Sequence, residues 1–262
     1  MSGSEKPKKD DDAPKDMSEE LREIMKGLRP TAGEECAVEG CSRPKKHRHF
    51  CEECAAAAKA VWDADEAKRV AEERAEKVDE EIARMIGKSY TRCTWDNLDT
   101  KDAIKDRIRR AVSSGGSVIM SGRPRAGKTH TMTCIFRDVY LSGETCEVWA
   151  CADLFDRLRS LTVGDDPEER KRFLDHFRTV DWIFLDDLGV EKGSEFVLEQ
   201  VFRIIDWRSR DESPVVVTSN LTMEELGQRY DRRFSSRLTG LAKCNGGFGI
   251  KFEGRDHRKG GK

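Results

Sequence analysis

Long apolar runs are missing from this sequence. No segment approaches the roughly 18–20 consecutive apolar residues that cross a bilayer, and mean hydropathy is −0.72, so no membrane association is expected. The polar N-terminus is no secretory signal. A dominant sign of charge is missing as well: 48 Lys and Arg nearly cancel 50 Asp and Glu, leaving a net charge of −2. Bulk basicity therefore offers no argument for nucleic-acid binding, and a local patch must supply any such contact. The first third lacks the material for a core. Of Val, Ile, Leu, Met, Phe, Trp and Tyr, residues 1–90 hold 16 and residues 91–262 hold 52. The later part can bury a real core, whereas the earlier part is too polar to do so alone. One globular domain behind a differently stabilised N-terminal extension follows.

A disulfide framework is also missing. Four of the nine cysteines sit within Cys36–Cys54, and Cys93, Cys134, Cys146, Cys151 and Cys244 are scattered through apolar stretches. The odd count and the clustering point to a reducing compartment, the cytosol. The clustered four are spaced Cys36-x4-Cys41-x9-Cys51-x2-Cys54 and suit a tetrahedral Zn²⁺ site, with His47 and His49 able to replace one thiolate. A small polar module with little core would gain its fold from the metal. The basic run from Arg43 to His49 lies on the intervening loop, where phosphate contact and simple solvation are equally open readings.

Residues 1–16 read as a disordered tail, and 17–28 as a short amphipathic helix capped by Ser18. The zinc module completes a 17–54 unit. From Ala55 to Ile86 there is neither Gly nor Pro. A sparse stripe of Val70, Ala71, Ala75, Val78, Ile82 and Ile86 predicts one long helix over 55–87, ended by Gly87. It reads as a connector or partner-binding helix, with a short self-associating coiled coil as the alternative.

Over 88–262 apolar strands alternate with amphipathic helices. Strands are predicted at Ser117–Ser121, Glu147–Cys151, Asp181–Asp186, Pro214–Ser219 and Phe248–Phe252. Helices fit 100–114, 128–142, 152–161, 167–178, 194–209, 222–229 and 231–240. Such alternation implies an α/β fold, a five-stranded parallel sheet covered by helices.

Between the first strand and its helix lies Gly122-Arg123-Pro124-Arg125-Ala126-Gly127-Lys128-Thr129, followed by His130. Two glycines four residues apart before Lys-Thr make a P-loop, whose backbone N–H groups and helix N-terminus cradle phosphates. Lys128 is expected to reach the β- and γ-phosphates of ATP, and Thr129 to ligate Mg²⁺. The strand WIFLDD ends in two carboxylates. Asp186 is the expected Mg²⁺ partner and Asp187 the base or positioner of the attacking water. The strand PVVVTSN could sit between the two phosphate-binding strands, with Asn220 orienting that water. The competing reading makes this segment a helix N-cap beginning at Thr222.

The succession YTRCTWDNLD, GRPRAGKT, WIFLDDLG, VVVTSNLT, DRRFSSRL and FEGRDHR resembles the AAA+ ATPases of the DnaC/IstB-like group, over about residues 88–258. This group comprises helicase loaders and transposition helper ATPases. The resemblance implies a three-layer α/β/α P-loop NTPase fold, with Asn220 as sensor 1 and Arg237 as an arginine finger reaching a neighbouring subunit's nucleotide. Arg233, one turn earlier, is a second finger candidate. Arg258 matches sensor 2. Trp95, Asp96 and Asn97 are candidates to lie near the adenine, with a place in the core the alternative for Trp95. Some loaders carry an N-terminal zinc domain, which favours a helicase loader that forms homo-oligomers, binds single-stranded DNA and recruits a replicative helicase. The alternatives are a transposition helper that acts on duplex DNA with a transposase, and a zinc-binding adaptor using ATP as a slow switch.

Overall fold

The structure, a computed structural model, describes residues 52–163, 166–189 and 195–252. The tail, the 17–28 helix, Cys36, Cys41, Cys51, His47, His49, the basic loop and Arg258 lie outside these residues. Cys54 falls in the first turn of a described helix, but its side chain is outside the description. Among the described residues no group of three or more His, Cys, Asp or Glu side chains could hold a metal ion. No helix among them is long and apolar enough to cross a membrane.

The predicted long helix is α1, Glu52–Ile82, extended by a wider turn over Ala83–Gly87. It ends where Gly87 takes φ 129°, a conformation that a residue with a Cβ rarely adopts. The chain divides into two compact units, Met1–Glu73 and Arg74–Lys262. In the first, Trp62 and Val70 of α1 stay exposed. In the second, Val78 and Ile82 are buried with Met85 and Ile86 against the sheet's helical layer. The last turns of α1 are thus core rather than linker, a role its thin apolar stripe did not disclose.

The second unit continues with α2 (Asp102–Ser113), β1 (Val118–Gly122), α3 (Lys128–Leu141), β2 (Cys146–Ala150), α4 (Cys151–Val163) and α5 (Pro167–Thr179). Then come β3 (Trp182–Leu188), α6 (Glu195–Arg210), β4 (Val215–Ser219), α7 (Met223–Arg229), α8 (Arg232–Leu241) and β5 (Phe248–Phe252). Caps fix several starts. Asp166 accepts from the amides of Glu168 and Glu169 with Pro167 behind it, and Thr222 and Glu225 form a reciprocal capping box.

The five strands are all parallel, in the order β2-β3-β4-β1-β5. Side chains alternate between the two faces, and helices cover both, which explains the nearly continuous apolar strands. Ile119, Ile183, Leu185, Val215 and Val217 pack with α4, α5, α6 and α8. Val118, Met120, Trp182, Phe184 and Val216 pack with α2, α3 and the end of α1. Of the five scattered thiols, Cys93, Cys134 and Cys151 are buried while Cys146 and Cys244 are only partly so. Burial pushes the Cys134 and Cys146 thiols up to about 12, which favours the neutral thiol over the thiolate near pH 7.

One arginine ties the layers together. Arg208 of α6 is 2% exposed. Its terminal nitrogens donate to the carbonyls of Val180, Asp181 and Pro214 at 2.7, 2.5 and 2.8 Å, and more weakly to Phe177 at 3.4 Å. It therefore joins the entrances of β3 and β4. Burial lowers its pKa to about 10, against the pull of Asp181 and Asp211.

Candidate functional site

A cleft of about 470 Å³ opens at the carboxyl ends of β1, β3 and β4. Ligands gather at this end of parallel sheets because loop residues from several strands converge there. β4 does lie between β1 and β3, so the P-loop, the acidic strand and Asn220 face one another.

The loop after β1 is built from left-handed backbone. Gly122, Arg125 and Gly127 have φ of 138°, 64° and 93°. A Cβ at Gly122 would meet the Phe252 carbonyl oxygen at 2.2 Å, so only glycine allows β5 to close against the loop. α3 starts at once with Lys128, which brings a helix N-terminus to the cleft. Lys128 is 5% exposed. Its ammonium donates to the carbonyls of Gly122 and Arg123, both at 2.9 Å, and to Asn220 Oδ1 at 2.8 Å. Burial lowers its pKa, while Asp187 and Asp186 hold it up.

The acidic pair sits inside β3 rather than at its end. Pairing with β4 slips between Leu185 and Leu188, and Asp187 takes φ 56° in that bulge. The bulge breaks the alternation that would send neighbouring side chains to opposite faces. Asp186 accepts from the Thr129 hydroxyl at 3.0 Å and from the Thr218 hydroxyl. Thr218 in turn accepts the Asp187 amide at 2.9 Å. Asn220 Nδ2 donates to Asp187 Oδ1 at 3.2 Å. A chain of contacts thus runs from Lys128 through Asn220 to Asp187, beside a second chain linking Thr129, Asp186 and Thr218. Desolvation raises the Asp186 pKa; hydrogen bonds from Thr218 and Thr129 oppose the rise, and Asp187's charge adds to it.

Pro124, Arg125, Gly127, Lys128, Thr129, His130, Asp187 and Asn220 all line the cleft. Ala126 is buried in the core beneath it. Gly122 and Arg123 border a neighbouring cavity that shares Pro124 and Asn220 with the cleft. Arg123 meets Lys128 only through its carbonyl. His130 is held at its ring Nε2 by the Thr94 carbonyl, 3.1 Å away. Asn220 is not the helix cap; Thr222 is.

In the lead-in segment the core alternative holds for Trp95. Trp95 does not face the cleft: it is buried in the core, and its indole N–H donates to Asp138 at 2.8 Å. A buried indole needs such a partner. Asp96 is exposed and outside the cleft lining, whereas Asn97 does line it, together with Leu98 and Asp99. Asn97 also shapes its own turn by accepting the Thr94 amide and donating to the Arg92 carbonyl.

Besides Asp99, two polar residues escaped the sequence reading. Tyr90 lines the cleft, and its phenol pKa is raised by burial and by the charge of Asp186, against a hydrogen bond with Thr129. Thr218 is fully buried and links the two aspartates. Tyrosine before a P-loop strand carries no motif, and Thr218 reads as an ordinary strand residue.

Arg233 and Arg237 lie on α8, and neither borders the cleft. Arg237 Nε pairs with Asp206 Oδ1 at 2.9 Å. Arg233 bonds Asp231 and lies over the Phe202 ring at 5.5 Å.

The donor set fits a nucleotide with its metal. Thr129 and Asp186 offer hard oxygen atoms of the kind Mg²⁺ takes alongside phosphate and water. Lys128 and the left-handed loop suit phosphate oxygens. The fold and cleft are those of a P-loop nucleotide-binding protein. The chain belongs to the family of IstB-like ATP binding proteins, which matches residues 96–237. It is similar to a replicative helicase loader DnaC of Buchnera aphidicola subsp. Baizongia pistaciae, 24% identical over 170 residues, 60% of this chain and 69% of that one. It is 26% identical over 122 residues to the replicative helicase loader DnaC of Escherichia coli K12, spanning 47% of this chain and about half, 49%, of that relative. A crystal structure of the DnaC helicase loader superposes with a TM-score of 0.51 at 22% identity, covering 61% of this chain and 98% of that chain, a likeness of fold.

Proposed function

We propose that this chain is a helicase-loader-like ATPase that hydrolyses ATP in a site completed by a second copy of itself. The observation that carries the reading is the double contact chain in the cleft, Lys128–Asn220–Asp187 beside Thr129–Asp186–Thr218. Lys128 would exchange its bond to Asn220 for a phosphate oxygen, and that exchange would free Asn220 and Asp187 to hold the attacking water. Mg²⁺, held through Thr129 and Asp186, would neutralise phosphate charge. Arg237 of a neighbouring copy would stabilise the charge that develops on the transferred group. Arg233 and Arg258 remain second candidates for cationic roles. Four cysteines, Cys36, Cys41, Cys51 and Cys54, would form a zinc module engaging the partner.

Similarity to proteins named replicative helicase loaders supports a replicative helicase as partner, and single-stranded DNA is the nucleic acid this reading adds. The test is ATP turnover with single-stranded and duplex DNA, together with affinity capture from the native host. The expected result is turnover that is lost in Lys128→Ala, preference for single strands, and capture of a hexameric helicase. Duplex preference with a transposase in the capture would instead establish the transposition helper. Negligible turnover with DNA and partner present would leave only the ATP-switch adaptor.

A further inference from the structure

One helix, α8, carries Arg233 and Arg237, and a second, α6, carries a matched contact for each. Phe202 and Asp206 stand four residues apart on α6, while Arg233 and Arg237 stand four apart on α8. Residues at this spacing share one helix face. Arg233 lies over Phe202, and Arg237 pairs with Asp206.

The two guanidiniums are held differently. Arg233 commits Nε and Nη2 to Asp231 Oδ2, at 3.1 and 3.0 Å, within its own helix start. Arg237 approaches Asp206 most closely through Nε, at 2.9 Å. Among the described residues its two terminal nitrogens, the part of the fork that grips phosphate, donate no hydrogen bond. Asp206 is itself well fixed: its side chain is only 16% exposed, and its other oxygen accepts from Arg210 at 2.5 Å. Arg237 remains 48% exposed. An ion pair so accessible contributes little to folding, so its consequence is directional.

We infer that Asp206 is a positioning residue, which holds Arg237 by Nε and presents its terminal nitrogens to the triphosphate bound by a second copy of this chain. The inference rests on the composite-site reading and adds the residue that aims the finger. It also selects Arg237 over Arg233, whose fork is already engaged. A guanidinium held in place before contact loses less freedom on meeting the phosphate, so more of the contact is realised in the transition state.

The test is a double-mutant cycle on assembly-stimulated ATP turnover in the full-length protein, using Asp206→Asn, Asp206→Ala, Arg237→Ala and the Asp206→Ala/Arg237→Ala pair. Asp206→Ala is expected to lower kcat about tenfold, a fraction of what an arginine finger contributes, with KM and MgATP affinity unchanged. In the Arg237→Ala background the same substitution should have no further effect. Asp206→Glu should recover part of the rate. Asp206→Asn keeps the volume of the side chain and guards against misfolding, and its melting temperature should match wild type. A further loss in the Arg237→Ala background, or wild-type turnover in Asp206→Ala beside an impaired Arg237→Ala, overturns the positioning role alone. Wild-type turnover in Arg237→Ala removes the finger reading and the positioning role together.

Discussion

The cleft and the α6–α8 face handle charge in opposite ways. In the cleft, Lys128 is buried, and each of its three donated bonds ends on an acceptor of the same chain. On the α6–α8 face, Arg237 is half exposed and, among the described residues, paired with one carboxylate. Buried charge must be satisfied internally because water is excluded, while an exposed charge can be presented outward at little cost. In the composite site proposed above, the chain would hold one half closed within itself and display the cation of the other half.

The contrast can be sharpened within α6, where the buried Arg208 lies two residues beyond Asp206. Arg208→Ala strands four carbonyls at the sheet entrance and should destabilise the fold by about 3–5 kcal/mol. Arg237→Ala should change stability by less than about 1 kcal/mol, as expected of an exposed pair. Chemical denaturation of both variants checks this; equal losses would break the distinction between structural and displayed arginines. A smaller effect separates the two regions in binding. Lys128→Ala should weaken MgATP affinity about 10- to 100-fold, the worth of a charge-assisted hydrogen bond. Arg237→Ala should leave the affinity of the unassembled chain within about twofold, because that residue lies outside the cleft. Calorimetric titration at low protein concentration reads both.

Much of the layout was legible in the residues. Buried parallel strands are short apolar runs, and glycine spacing with Lys-Thr marks the phosphate loop, so β1 to β5 and Lys128 lie within a residue or two of expectation. Pairing between distant strands has no local signature. The bulge that turns Asp187 is set by β3 slipping against β4, and Thr218 gains its place from that same slip. The segment alone left Trp95 open between an adenine neighbour and a core residue, and its ring turns inward to Asp138. Val78 and Ile82 looked like part of a thin solvated stripe until α2 and α3 were there to cover them. What separates Arg233 from Arg237 is also absent from the motif: Arg233 bonds Asp231 in its own helix start, whereas Arg237 pairs with Asp206 of α6.

The composite site can be tested by mixing two variants that each lack a different half. Lys128→Ala chains keep Arg237 but lack a working cleft, and Arg237→Ala chains keep the cleft but lack the displayed cation. Each alone should be nearly inactive under assembling conditions. ATP turnover of the mixture should rise clearly above either variant, as Arg237→Ala clefts receive Arg237 from Lys128→Ala neighbours. A mixture no more active than its separate components would contradict a site shared between copies of this chain.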